Sequence, residues 1–305
     1  MAIDRLTLPE PLDVLEPTAG ARLRGRLFKH TSLVFGLGIV GLVALLALCA
    51  PLIAPHDPYA QDLARRTIPP VWYAKGSWEH VFGTDNLGRD YFSRTLYGAR
   101  ISLLIGVSVM LISGVIGTTM GLLAGYFGGR VDLVVTFLVT TRLAMPVILV
   151  ALAVVALLGG SLTVVILTLG LLKWDRFAVV MRSATQQTRS LDYVAAAQAA
   201  GASTARVILG EVLPNIAPHL IVVATLEAAS AILLEAALSF LGAGVQPPAP
   251  SWGTMISSGL DLIIGAPHLT IAPGLMLVLT VLSLNIFGEG VRDALDPRAK
   301  LKLKG

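Results

Sequence analysis

The sequence predicts an all-α integral membrane protein of about six transmembrane helices. Three observations carry that prediction: an apolar composition, apolar blocks of bilayer length, and the placement of the positive charges. Of 305 residues, 55% are hydrophobic and 14% charged, and the mean hydropathy is +0.77. That leaves too little polar surface to cover a water-soluble globule of this size. The apolar residues fall in long blocks between charged segments, as expected of helices near 20 residues crossing a hydrocarbon layer roughly 30 Å thick.

The elements follow in order. Residues 1–30 are polar, with Asp4, Glu10, Asp13 and Glu16, and the apolar run after them is too long for a signal-peptide core, so this segment is expected to be retained. Apolar blocks then run over residues 33–54, 101–126, 131–158, 162–181, 216–241 and 268–287. The fourth is the weakest, because Lys173, Asp175 and Arg176 interrupt it. Such a span is expected to be shielded by protein or to line an aqueous cavity. Residues 31–290 thus form one membrane domain, with a C-terminal tail over 291–305.

Orientation is read from lysine and arginine. Arg22, Arg24, Arg26 and Lys29 precede the first block; Lys173, Arg176, Arg182, Arg189 and Arg206 surround the connection between the fourth and fifth; Arg292, Arg298, Lys300, Lys302 and Lys304 follow the last. With six spans all three groups share one side, which is expected to be cytoplasmic together with both termini. The connection 159–161 has no charge, and 242–267 has Asp261 but no lysine or arginine. The outer segment 55–100 holds six basic and five acidic residues, which suggests a small folded or interfacial element. The formal charge of +4 does not indicate nucleic acid, since the basic residues flank apolar blocks without aromatic interleaving.

The cytoplasmic connection 183–215 is too patterned for a passive linker. Residues 192–203, DYVAAAQAAGAS, predict a short alanine-rich helix ended by Gly201, with Ser203 capping a second helix. That second helix is expected to run to Leu213 and to break at Pro214 and Asn215. A helix-glycine-helix elbow with a small-residue face can enter a groove on another protein closely.

The elbow resembles the signature loop of ATP-binding cassette importer permeases: Glu-Ala-Ala, three residues, Gly, then a downstream Leu-Pro. Ala196, Ala197, Gly201, Leu213 and Pro214 match it, while Ala195 stands where the family usually has Glu and Gln198 where it often has Arg. Three further stretches resemble the C-type permease subunits of bacterial dipeptide, oligopeptide and nickel importers. They are GTDNLGRDYFSRTLYGARISLLIG (83–106), ALSFLGAGVQPPAPSWGTM (237–255) and LTVLSLNIFGEGVRDALDPR (279–298). IAPHDPYAQ (53–61) agrees, so the resemblance covers nearly all of residues 30–300. Departures fall at Thr136, Phe137, Thr140 and Arg142, where the family commonly places Met-Arg and an Asp ahead of the proline matched by Pro146, and at Asp175, commonly a Pro after the tryptophan matched by Trp174.

The resemblance implies the fold of a type I importer permease, with Asp192, Tyr193, Ala195, Ala196, Ala197, Gly201, Ala202, Ser203, Leu213 and Pro214 forming the loop that docks on an ATPase subunit. Its motif positions are Gly83, Thr84, Asp85, Gly88, Arg89 and Asp90, then Gln246, Pro247, Pro248, Trp252 and Gly253. The implied partners are a second, B-type permease, two ATP-binding subunits and an extracytoplasmic substrate-binding protein, in a bacterial inner membrane. ATP and magnesium would sit on those partner subunits, with no cofactor on this chain. Dipeptides, longer peptides and nickel complexes all remain open as cargo.

Other chemistry finds little support. The residues offer no phosphate-binding loop and no nucleophile elbow, and the single cysteine, Cys49, excludes a disulfide within the chain. His56, His80, His219 and His268 are scattered without metal-ligand spacing, and no metal is expected. An ion-driven secondary transporter would require inverted repeats or broken helices, neither visible in the sequence. Arg142, Glu227 and Glu235 fall inside apolar blocks, where an unpaired charge costs up to ~3 kcal/mol or more. Glu227 and Glu235 are expected on one helical face, with Arg142 pairing one of them, either as structural glue or on a translocation pathway. Pro146, Gly114, Gly117, Gly121 and Gly125 are read as serving helix packing or kinks.

Overall fold

The computed structural model describes residues 31–295, which are helical with no β-strand among them. The expected N-terminal segment 1–30 and residues 296–305 of the expected tail 291–305 lie outside the described residues. Helix α1 (Thr31–Leu48) is followed by a single turn, α2 (Ala50–Ile53), and by an irregular segment with one 3-10 turn at Leu63–Arg65. Helix α3 (Tyr91–Phe127) is 37 residues long, beginning ten residues before its apolar block because the Asp90 carboxylate caps it, accepting from the Ser93 amide at 2.8 Å.

The third apolar block is not one span. Helix α4 (Gly129–Leu143) and helix α5 (Val147–Leu158) meet at an 80° bend. Pro146 causes it, since proline has no amide hydrogen to donate and disfavours helical geometry in the residue before it. The fourth block is broken too: α6 (Leu162–Leu172) ends at Lys173, and α7 (Asp175–Arg189) is polar on its outer side. Among the described residues four helices are long and apolar enough to cross a membrane, five if α4 and α5 count as one span. The expected six is therefore approximate, and the third and fourth blocks are broken helices.

Helix α8 (Asp192–Ala199) precedes one continuous helical run, Thr204–Phe240. It comprises α9 (Thr204–Arg206), a π-helical turn (Val207–Val212) and α10 (Leu213–Phe240). The break expected at Pro214 does not occur. The widened turn, in which the Leu213 amide reaches back to the Ile208 carbonyl, absorbs the missing donor of a proline in the first turn of α10. Helices α11 (Trp252–Leu260) and α12 (His268–Leu295) complete the chain.

Helix α3 is the central post. Its upper half packs Ala99 among Val43, Ala228, Ile232, Trp252 and Leu284, and its middle packs Ile105 and Val109 against Leu169 and Leu238. Its lower half lies directly on α7. A methyl group on Gly117 would sit 2.2 Å from the Trp174 carbonyl oxygen, on Gly121 2.7 Å from that of Ala178, and on Gly125 2.6 Å from Thr185 Cβ. The small-residue stripe thus lets two backbones touch, which is where packing energy comes from when lipid is as apolar as the side chains. Leu42, Leu111, Leu133, Phe137 and Leu275 point outward, as an apolar solvent requires.

Candidate functional site

The elbow is built by backbone chemistry. At the end of α8 the Ala202 amide donates to Ala197 and the Gly201 amide to Gln198, the paired bonds of a Schellman termination. Gly201 carries the positive φ that this termination needs, +82°. Ser203 then caps the next helix, accepting from the Arg206 amide at 3.4 Å. Val194 is fully buried with Val207, Val212, Leu122 and Met181, so the elbow is seated on α3, α7 and the foot of α10. Gln198 donates to the Tyr126 hydroxyl at 3.0 Å. Tyr193, Ala195, Ala196 and Ala199 are exposed, while Ala197 is half-buried beside that core. The outward small face therefore excludes Ala197.

The intramembrane charges gather differently from expectation. Arg142 meets neither glutamate. Its guanidinium donates to the Leu172 carbonyl and to the Met145 carbonyl at 3.3 Å. Both carbonyls were freed by the helix ends, and an arginine nearby satisfies them and faces the negative end of each helix. Glu227 is instead approached by Lys173 Nζ at 2.7 Å and Arg176 Nη1 at 3.3 Å. Neither carboxylate oxygen accepts a hydrogen bond, so Glu227 is compensated by charge. Lys173 also donates to Ser230 Oγ at 2.8 Å. Arg176 is largely exposed and, with Leu143, Val180, Val223, Leu226 and Glu227, lines a cleft of about 290 Å³.

Glu235, further along α10, has partners different from those of Glu227. It is fully buried and accepts from Ser239 Oγ and Ser251 Oγ, each at 2.7 Å. Ser251 also takes part in a capping box with Thr254, so one hydroxyl ties α10 to the start of α11. Beside it Trp252 is fully buried, its indole donating to the Thr95 carbonyl at 3.1 Å. Gly253 lies against Ala236, and Gln246 donates its side-chain amide to Gly244 while its backbone amide bonds Gly160. Pro247 and Pro248, joined by a cis peptide, lie between these two anchors.

At the other motif, Asp85 accepts from the amides of Leu87 and Arg89 and from Arg89 Nε at 2.7 Å, with Arg94 Nε 3.5 Å away. Gly83 and Gly88 turn the chain at positive φ, and Thr84 accepts from the Ile68 amide at 2.9 Å. On the exposed rim Arg65 hydrogen-bonds Glu79 and holds its carboxyl below the usual value. Asp90 caps α3 and also meets His80 Nδ1 at 2.9 Å and His56 Nδ1 at 3.7 Å, so two histidines scattered in sequence converge. These motif positions form the folded element expected over residues 55–100.

Sequence reasoning missed Lys173 as the partner of Glu227 and the two serines around Glu235. The signal for the first was present: a lysine interrupting an apolar block needs a buried anion. The serines carried none.

Residues 117–301 match the family model described as binding-protein-dependent transport system inner membrane component, and residues 19–70 match the N-terminal transmembrane domain of oligopeptide transport permease C. The chain is 44% identical to the di/tripeptide transport system permease protein DppC of Pseudomonas aeruginosa, over 87% of this chain and 88% of that one. It is 39% identical to the dipeptide transport system permease protein DppC of Haemophilus influenzae, over 89% and 92%. Among solved structures, an inward-facing form of the MetNI methionine ABC transporter matches with a TM-score of 0.55 at 19% identity, over 67% of this chain and 98% of that one, a likeness of fold.

Proposed function

Because the chain belongs to the family of binding-protein-dependent transport system inner membrane components, we propose that it is the C-type permease subunit of an ATP-driven importer of di- or oligopeptides. The observation that carries this reading is the 44% identity to a di/tripeptide permease across nearly the whole of both chains. In this reading it pairs with a B-type permease to enclose the pathway, two ATP-binding subunits hydrolyse ATP with magnesium, and an extracytoplasmic binding protein delivers cargo. The complex lies in a bacterial inner membrane, with both termini and the 183–215 loop cytoplasmic. In this reading ATP and magnesium sit on the ATP-binding subunits and not on this chain.

The mechanism is alternating access. The exposed face of α8 docks in a groove of the ATPase, and closure of the two ATPases displaces it. Because α9, the π turn and α10 are continuous from Thr204 to Phe240, displacement at the elbow becomes a tilt of α10. Helix α7, seated on α3 through the glycine stripe, moves with the elbow, and the flexible points are the breaks at Pro146 and Lys173.

The test is ATP-dependent uptake of labelled dipeptides and longer peptides by vesicles holding the full complex. Uptake driven by an ion gradient without ATP hydrolysis would overturn the reading in favour of a secondary transporter. Orientation is tested with Ser203→Cys on a Cys49→Ser background, which should resist an impermeant reagent applied outside intact cells.

A further inference from the structure

Residues 54–90 contain a second kind of site, at the opposite end of the 37-residue helix α3 from the elbow, roughly 55 Å away at 1.5 Å per residue. His56, His80 and Asp90 each present one ligand atom there, all within 4.8 Å of one another. We propose that these three side chains bind a divalent transition metal of the zinc class and thereby fasten the segment 54–90 to the head of α3.

The donor set fits such an ion. Two imidazoles and a carboxylate are borderline ligands that suit zinc, and three protein ligands leave a fourth position for water or a partner's side chain. Bonds of 2.0–2.1 Å in tetrahedral geometry put ligand atoms roughly 3.3 Å apart. The observed His80 Nδ1 to Asp90 Oδ1 separation of 2.9 Å and His56 Nδ1 to Asp90 Oδ1 separation of 3.7 Å fall on either side of that value. Shifts of a few tenths of an ångström would bring these two pairs to that spacing, and the two imidazole donors, within 4.8 Å of each other, would close by up to about 1.5 Å.

The surroundings hold the ligands in place. Asp90 is buried, and its other oxygen is fixed by the Ser93 amide at the start of α3, leaving Oδ1 for the metal. The Ser93 hydroxyl accepts from the His56 amide at 3.2 Å, positioning that residue, and the two imidazoles lie 4.7 Å apart. His56 Nδ1 is the informative atom. It is shut off from solvent, has no hydrogen-bond partner, and lies near the Asp90 carboxylate. An imidazole lone pair there would face an anion, so Nδ1 carries either a hydrogen, as in the neutral Nδ1–H tautomer, or a metal ion. Ligands at positions 56, 80 and 90 would close two chain loops, and binding only the folded state would stabilise it.

The experiment uses the purified permease complex, stripped with a chelator and titrated with Zn²⁺ and with Co²⁺ as a spectroscopic probe. Wild type should take up one Zn²⁺ per copy of this chain, show a saturable visible ligand-field absorption with Co²⁺, and melt higher with Zn²⁺. His56→Gln should keep the apo melting temperature, because the imidazole makes no hydrogen bond, yet lose affinity by about 100-fold or more, since removing even an outer partner costs roughly 10–100-fold. His80→Gln should also lose the Co²⁺ signal, and His219→Gln should not. Absence of saturable one-to-one uptake at micromolar metal would overturn the site and leave an Nδ1–H tautomer of His56 facing Asp90. Wild-type affinity in His56→Gln would overturn it equally.

Discussion

Lys173 Nζ lies 2.7 Å from Glu227 Oε2 with both side chains buried, and this pair joins the break between α6 and α7 to the middle of α10. Removing one partner of a buried pair leaves the other uncompensated, at a cost of about 3–5 kcal/mol. Glu227→Ala and Lys173→Ala should each lower the melting temperature of the purified complex severely. The double variant should lose clearly less than the sum of the two, because each single change includes the cost of stranding the other charge. Additive losses would show that Arg176, not Lys173, compensates Glu227.

The α3 to α7 contact gives the second prediction. A side chain on Gly121 meets the Ala178 carbonyl at 2.7 Å, whereas one on Gly114 meets only Phe177 carbons at 3.5 Å, an ordinary contact. Gly121→Val should therefore push two backbones apart, costing about 1–3 kcal/mol or more, while Gly114→Ala should be nearly neutral. Membrane abundance and detergent melting temperature measure both.

At the start of α11, Ser251 serves as cap and as donor to the buried Glu235. Ser251→Ala should destabilise by about 1–3 kcal/mol, through the lost cap and a less satisfied acceptor. Ser258→Ala, whose hydroxyl bonds only the Met255 carbonyl of its own helix, should change little. Thermal unfolding of the two variants in one detergent makes the comparison.

What the residues disclosed depended on whether the determining force was local. The Schellman termination at Gly201, the Ser203 cap and the glycine stripe are local or periodic, and all were readable before any fold was known. The bend at Pro146 was signalled by the proline, yet its 80° size depends on tertiary packing. Pro214 misled, because a π turn relocates the missing bond and lets the helix run on. Ion-pair partners were the least legible. Arg142 and Glu227 are charges of opposite sign inside apolar blocks, but the helix breaks gave Arg142 two carbonyls and put Lys173 beside the carboxylate. Likewise, nothing in the spacing of 56, 80 and 90 marks them as neighbours, because an irregular chain brings them together.

The elbow separates backbone geometry from surface fit, and two pairs of variants exploit that. A Cβ on Gly201 meets no atom within 4 Å, so any defect from substitution there comes from its φ of +82° alone. Asparagine tolerates the left-handed region, whereas β-branched valine is a strong outlier in it. Gly201→Val should therefore misaim α8 and abolish ATP-dependent uptake, while Gly201→Asn keeps most of it. The second pair reads the two faces of α8. Ala196 is exposed and Ala197 is half-buried beside Val194. Ala196→Trp should leave membrane abundance near wild type but weaken co-purification of the ATPase, since the bulk projects only outward. Ala197→Trp should lower abundance as well, because the indole must displace the core that seats the elbow. Full uptake and stoichiometric ATPase in both Gly201→Val and Ala196→Trp would remove this loop as the coupling element, whatever the rest of the membrane domain does.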